Sequence, residues 1–227
     1  MPFQIHSDFR HTTHVVHGPK SIARLPQFFP DKAKVLIVTD KGLVQAGIAE
    51  KVIAVLNDNN IPHALYDGAL PNPPAACVHA GQRLYAKAKC NALLALGGGS
   101  PMDVAKMIGV VANNGGRINE YLGSGNVKND IPPLVCIPTT YGTGSEVTPF
   151  AVLTNPKTQN KDPVISSKII PQVGILDPEL SVGLPAALGA STGMDALTHA
   201  IESYTNLLAG PITDGLALHA IQLIGEN

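Results

Sequence analysis

The feature that most constrains this chain is an alternation: a short run rich in Val, Ile and Leu, then a loop carrying Gly or Pro, then a helical pattern. It is clearest at Lys34–Thr39 (KVLIVT), Ala92–Leu96 (ALLAL) and Leu134–Ile137 (LVCI). A strand that is apolar on both faces has to be covered on both faces. Alternation with helices therefore predicts an α/β fold, a parallel sheet between two helical layers. Such sheets bind ligands beyond the carboxyl ends of their strands, so the chemistry is expected in the segments that follow the three runs. Those segments are Asp40 with a helical stretch over about 44–57, GGGSPMDVAK (Gly97–Lys106) and PTTYGTGSEVT (Pro138–Thr148). From about Ser181 the strand-like runs stop, and two helical patterns follow over 191–206 and 211–225. The reading is an α/β domain over 1–182 and the start of an all-helical domain over 183–227, with no internal repeat.

Composition narrows the partners. Sixteen basic residues against seventeen acidic ones give a net charge of −1, and 4% aromatic residues leave few rings to stack on bases. Nucleic acid is not an expected partner, and small molecules are. The N-terminus lacks a signal-peptide apolar core, and no stretch approaches a membrane span, which predicts a cytoplasmic protein without a membrane partner. Cys77, Cys90 and Cys136 are odd in number and show no CxxC spacing, so they read as buried free thiols.

Gly97–Lys106 has the makings of a phosphate cradle. Three successive glycines let backbone approach a ligand. Ser100 suits an N-cap, Pro101 the first helical position, and Asp103 falls three residues after the cap. The free N–H groups and positive dipole end of a helix starting there would suit a pyrophosphate. A tight turn using glycine for geometry alone explains the same residues, and the segment is not a GxGxxG. Asp40, at a strand end, is placed to accept from a ribose and to repel a 2′-phosphate, favouring NAD over NADP; it also suits a helix cap. Thr139, Thr140, Thr143, Ser145 and Thr148 put hydroxyls into a glycine-containing loop at a third strand end. Taken together, the three strand ends favour a nucleotide crevice.

In GMDALTHAIESY (Gly193–Tyr204), Asp195 and His199 lie four residues apart and project from one helical face, close enough to share an ion. Carboxylate with imidazole suits Fe²⁺, Zn²⁺ or Mn²⁺ better than Ca²⁺. An Asp–His hydrogen bond without metal accounts for the spacing as well. Met194, Leu197, Ile201 and Tyr204 form a neighbouring apolar stripe, predicting that the pair borders a buried face.

The run Asp177–Glu202, with Pro185, Ala190, Asp195, Ala196, Leu197, His199 and Glu202 in register, resembles the signature of the iron-containing (group III) alcohol dehydrogenase family. GGGSPMDVAK and PTTYGTGSEVT resemble its cofactor segments, in the same order. The resemblance implies an N-terminal NAD-binding domain, a helical metal domain, and an active site in the cleft between them. It assigns cofactor contacts to Asp40, Asn72 of LPNPP, Gly97, Gly98, Gly99, Ser100, Asp103, Thr139, Thr140, Thr143, Thr148, Phe150 and Lys161. It assigns two metal ligands, Asp195 and His199; the family's other two are histidines on later helices, which this chain does not reach.

The local histidines are not expected to substitute. His219 sits on a helix with packing positions at Leu216, Ala220, Ile221 and Ile224. His6, His11, His14 and His17 fall at the N-terminus, where 11, 14 and 17 show no strand periodicity and read as stray polar residues, and His63 and His79 read as loop and helix residues without a partner carboxylate. Leu216–Ile224 is apolar nearly all round and expects cover, as in a truncated chain or a homo-oligomer. The implied activity is NAD-dependent interconversion of a small primary alcohol or diol and its aldehyde, with no residue singled out for proton transfer. The competing reading is a non-catalytic NAD-binding or oligomerising module. A glycerol-dehydrogenase-like or dehydroquinate-synthase-like enzyme fits the Asp177–Glu202 run less well.

Overall fold

The computed structural model describes residues 9–155 and 158–227. His6 lies outside the described residues. In chain order the α/β part contains β1 (His14–His17), β2 (Val35–Val38), α1 (Lys41–Gln45), α2 (Ile48–Asp58), β3 (His63–Tyr66), α3 (Ala75–Lys87), β4 (Ala92–Gly97), α4 (Gly99–Asn114), β5 (Gly123–Ser124), β6 (Leu134–Pro138), β7 (Phe150–Thr154), β8 (Lys161–Ile165) and β9 (Val173–Leu176). Two long helices follow, α5 (Ala186–Thr205) and α6 (Pro211–Glu226).

The main sheet has six strands in the order β1-β9-β6-β4-β2-β3, all paired in parallel. Every residue of β2 and β4 is buried, as continuous apolar runs require. Successive side chains serve opposite faces. Leu36, Val38, Leu93 and Ala95 join α4 residues such as Met102 and Ile108 in one core, while Val35, Ile37, Leu94 and Leu96 join Val52 and Leu56 of α2 in the other. Parallel pairing brings the carboxyl ends of β2, β4 and β6 side by side, where β4 and β6 pair through Gly97 and Pro138. A smaller sheet, β5-β8-β7, holds an antiparallel β7–β8 pair.

The structure corrects several local expectations. The helix expected over 44–57 is two helices, because Gly47 at φ +72° ends α1 and begins α2. His14 and His17 belong to a strand, β1, and His63 opens β3 rather than lying in a loop. Both strands are at sheet edges, and β1 buries only Val16, so neither carries the doubly apolar run that marks the inner strands. The β7–β8 pair was also hidden from periodicity, since Pro163 interrupts β8.

The chain forms two compact units that part between Gly183 and Leu184, with Thr140–Thr143 belonging to the helical unit. Within that unit α5 and α6 pack on each other, yet each buries a single small residue, Ala200 and Ala217. The expected burial beside the Met194–Tyr204 stripe is not found: Met194 is 59% exposed and Ile201 and Tyr204 46% each. Leu216, Leu218 and Leu223 of α6 are exposed as well. The apolar period is present, but these faces have no cover within the described residues. No helix among them is long and apolar enough to cross a membrane.

Candidate functional site

At the end of β4 the chain turns sharply into α4. Gly97 has φ +144°, and a Cβ there would meet Pro101 Cγ at 2.7 Å, so the turn admits only glycine. The N-cap of α4 is Gly98, correcting the expectation of Ser100, which lies inside the first turn. No side chain caps this end, so the first N–H groups of a 16-residue helix are left without a capping acceptor. The Thr139 N–H donates to the Gly97 carbonyl at 3.0 Å, joining the end of β6 to the cradle.

Asp40 does act as a cap: its Oδ1 accepts from the Leu43 N–H at 3.0 Å, and its side chain is only partly buried. Asn72 is exposed at φ +50° in the loop before α3. The neighbouring Pro73 carbonyl accepts from Thr154, and Thr154 faces Lys161 across β7–β8, so the Asn72 loop and the exposed Lys161 are tied through one residue.

Asp103, Ser145, Thr148 and Phe150 meet around a side chain that the sequence reading did not single out, Lys106. Its ammonium is fully buried and donates to Ser145 Oγ (3.1 Å), Thr148 O (3.0 Å) and Phe150 O (2.7 Å). Ser145 Oγ donates onward to Asp103 Oδ1 at 3.0 Å, and Asp103 Oδ2 accepts from the Val152 N–H at 3.1 Å. The expected ligand-facing roles of Ser145 and the Asp103 carboxylate are therefore altered, since both are engaged inside the protein. Burial pushes the Asp103 carboxyl up and the Lys106 ammonium down, each opposed by the charge of the other. With three N–H donors on three acceptors and both carboxylate oxygens bonded, the geometry favours the charged forms. The available signal was the Asp103–Lys106 spacing of three on a helix.

Asp195 and His199 project from α5 with Asp195 Oδ2 4.0 Å from His199 Nδ1. That nitrogen lies 2.8 Å from the Gly142 carbonyl, which can only accept, so Nδ1 is the donor and, in the neutral ring, Nε2 is the nitrogen left with a lone pair. A backbone carbonyl holding the second ring nitrogen is how metal-ligating histidines are oriented. Gly142 itself is confined: φ is +90°, and a Cβ would lie 2.5 Å from Thr192 O, 2.8 Å from Ala196 N and 2.9 Å from Asp195 Oδ2. Thr140 and Thr143 flank it in the same four-residue segment. Among the described residues no group of three or more His, Cys, Asp or Glu is placed to hold a metal. His219 is exposed on α6.

Residues 12–178 match the family described as iron-containing alcohol dehydrogenase, and residues 189–227 match its C-terminal family. The chain belongs to the iron-containing alcohol dehydrogenase family. Similar members include an NAD-dependent methanol dehydrogenase of Bacillus methanolicus, 47% identical over 89% of this chain and 53% of the relative. A 1,3-propanediol dehydrogenase of Klebsiella pneumoniae is 44% identical over 86% of this chain and 51% of its own length. A crystal structure of 1,3-propanediol oxidoreductase superposes with a TM-score of 0.93 at 40% identity, covering 98% of this chain and 59% of that one. The chain spans about half the length of the curated relatives it matches. The α/β fold with a mostly parallel sheet is that of the family.

Proposed function

We propose that this chain is the dinucleotide-binding part, with the first metal ligands, of an NAD-dependent dehydrogenase that interconverts a small primary alcohol or diol and its aldehyde. The observation that carries the metal half is the Gly142 carbonyl 2.8 Å from His199 Nδ1, the nitrogen that also lies 4.0 Å from Asp195 Oδ2, an arrangement that leaves Nε2 for an ion. The uncapped N-terminus of α4 supports the dinucleotide half. When bound, NAD supplies a hydride acceptor, and a divalent metal (Fe²⁺, or Zn²⁺ or Mn²⁺) supplies Lewis acidity toward an alcohol oxygen.

The chain's own residues then divide the work. The first turn of α4 binds a pyrophosphate through backbone N–H groups and its positive end. Asp40, one oxygen engaged as a cap, offers the other to a ribose and disfavours a 2′-phosphate. Thr139, Thr140, Thr143, Asn72 and Lys161 offer further polar contacts, and Thr148 and Phe150 contribute through the shape of their loop. Asp195 and His199 hold the metal, with Gly142 fixing the imidazole.

Calorimetry with NADH and NADPH, metal analysis, and an NAD-linked assay with ethanol or 1,3-propanediol test this reading on the 227-residue chain. The expected result is NADH bound more tightly than NADPH, metal held weakly and slow turnover, because two protein ligands fall short of the three a catalytic site commonly supplies. No NADH binding overturns the proposal, and stoichiometric, tightly held iron with normal turnover overturns the weak-metal part. A second reading, a non-catalytic NAD-binding or self-associating module, is favoured by the lack of a third ligand among the described residues and by the exposed faces of α5 and α6. NADH binding without metal-dependent turnover would select it.

A further inference from the structure

We infer that Lys106 is a positioning residue for the dinucleotide site: an internal cation that fixes the loop Ser145–Phe150 from behind. This rests on the reading of that loop as part of the NAD site. The loop is irregular, a single 3-10 turn at Ser145–Val147 followed by extended chain into β7, so its carbonyls have few ladder partners. Lys106 supplies the donors. Its stem rises from the buried face of α4, and its three hydrogens go to Ser145 Oγ, Thr148 O and Phe150 O, with Thr148 Oγ1 at 3.5 Å on the margin. Ser145 passes the connection to Asp103, whose second oxygen holds the Val152 N–H, so the same carboxylate also fixes the middle of β7.

The arrangement forms a hub. One helix, α4, presents its N-terminal end to the cradle and, within two turns, a cation that sets the neighbouring loop. The Phe150 ring, 47% exposed, and the partly exposed Thr148 then stand outward from carbonyls that the ammonium holds. Neither Lys106 nor Ser145 is exposed enough to touch a ligand, at 0% and 5%, so any effect they have on NADH must travel through the loop.

The test is NADH affinity of the full chain by titration of nicotinamide fluorescence, with circular dichroism as the check on folding. Lys106→Ala is expected to bind NADH about tenfold more weakly, the order of losing one or two charged hydrogen bonds. n-Propylammonium, which matches the deleted atoms, should restore affinity, whereas tetramethylammonium at equal ionic strength should not. Ser145→Ala, a small change that keeps the cation, should weaken NADH by a few-fold and guards against failure of the first variant to fold. Unchanged affinity in folded Lys106→Ala or in Ser145→Ala overturns the inference, and so does weakened binding that propylammonium does not restore. If the unaltered chain binds no NADH, the dinucleotide reading itself fails and the role of Lys106 goes with it.

Discussion

Gly142 and Asp40 show how single residues carry more than one duty. Gly142 gives its carbonyl to His199 and tolerates no Cβ against α5, whose backbone would be 2.5 Å away. Gly142→Ala should therefore cost about 1–3 kcal/mol from overpacking alone. By releasing the imidazole, it should also lower Zn²⁺ affinity about 10- to 100-fold, read by calorimetry, with NADH affinity unmoved. Equal Zn²⁺ affinity in the variant would remove Gly142 from that role. Asp40 caps α1 and carries a charge, and two substitutions separate these. Asp40→Asn keeps a good cap, while Asp40→Gly also gives up the cap at a cost of a few tenths of a kcal/mol. Both should shift the NADPH-to-NADH ratio of dissociation constants toward NADPH by about tenfold, the size of one repulsive contact near a surface. An unchanged ratio would take Asp40 out of the ribose contact. At this scale Asp195, His199 and Asp40 were visible in the sequence because spacing and strand ends announce them. Gly142 and Lys106 were not, because their significance lies in partners tens of residues away.

Among the elements, legibility followed burial. β2, β4 and β6 are apolar on both faces and could be read directly, whereas β1 buries Val16 alone and β3 is only half-buried throughout, so neither stood out. The join between β3 and α3 carries a further prediction. The Tyr66 hydroxyl donates to the Cys77 carbonyl at 2.8 Å and to Gly68 O at 3.3 Å. Burial pushes its phenol up to about 12, with Cys77 and Asp67 adding to the effect. Burial raises the Tyr85 phenol of α3 to about 12 as well, with a contribution from Cys90. Because the folded values lie above the ordinary 10.0, the protonated phenols stabilise the fold fully below pH 10 and lose that contribution as pH rises toward 12. Urea midpoints should begin to fall near pH 9, where the buried thiols of Cys77, Cys90 and Cys136, also raised by burial, start to contribute, and should fall further beyond pH 10 as the phenols do, with phenolate absorbance appearing late. The double variant Tyr66→Phe, Tyr85→Phe should flatten the fall, and a fall of the same size in that variant would assign it to other groups.

For the whole molecule, the uneven burial of its two units is the governing fact. The α/β unit closes two cores around its sheet, but the α5–α6 connection leaves Leu207 87% and Leu208 74% exposed, and α6 leaves Leu216 59% and Ile212 56% exposed. A cluster of such side chains drives association in water. The 227-residue chain should therefore sediment as a concentration-dependent oligomer and bind a hydrophobic dye. Leu207→Lys with Leu216→Lys should reduce both, and a monomer that ignores the dye would contradict this. The sequence by itself determined the α/β class, the three strand-end segments and the helical C-terminal part, since each rests on local period, glycine placement or spacing within a few residues, while the family was legible only through the resemblance of Asp177–Glu202 and the two cofactor segments to a known family. The tertiary structure decided which polar side chains face inward, which strands lie at the edges, and whether an apolar stripe is covered. Those outcomes depend on contacts between residues far apart in the chain: Lys106 with Phe150, Gly142 with His199, and β1 with β9. No window along the sequence contains them.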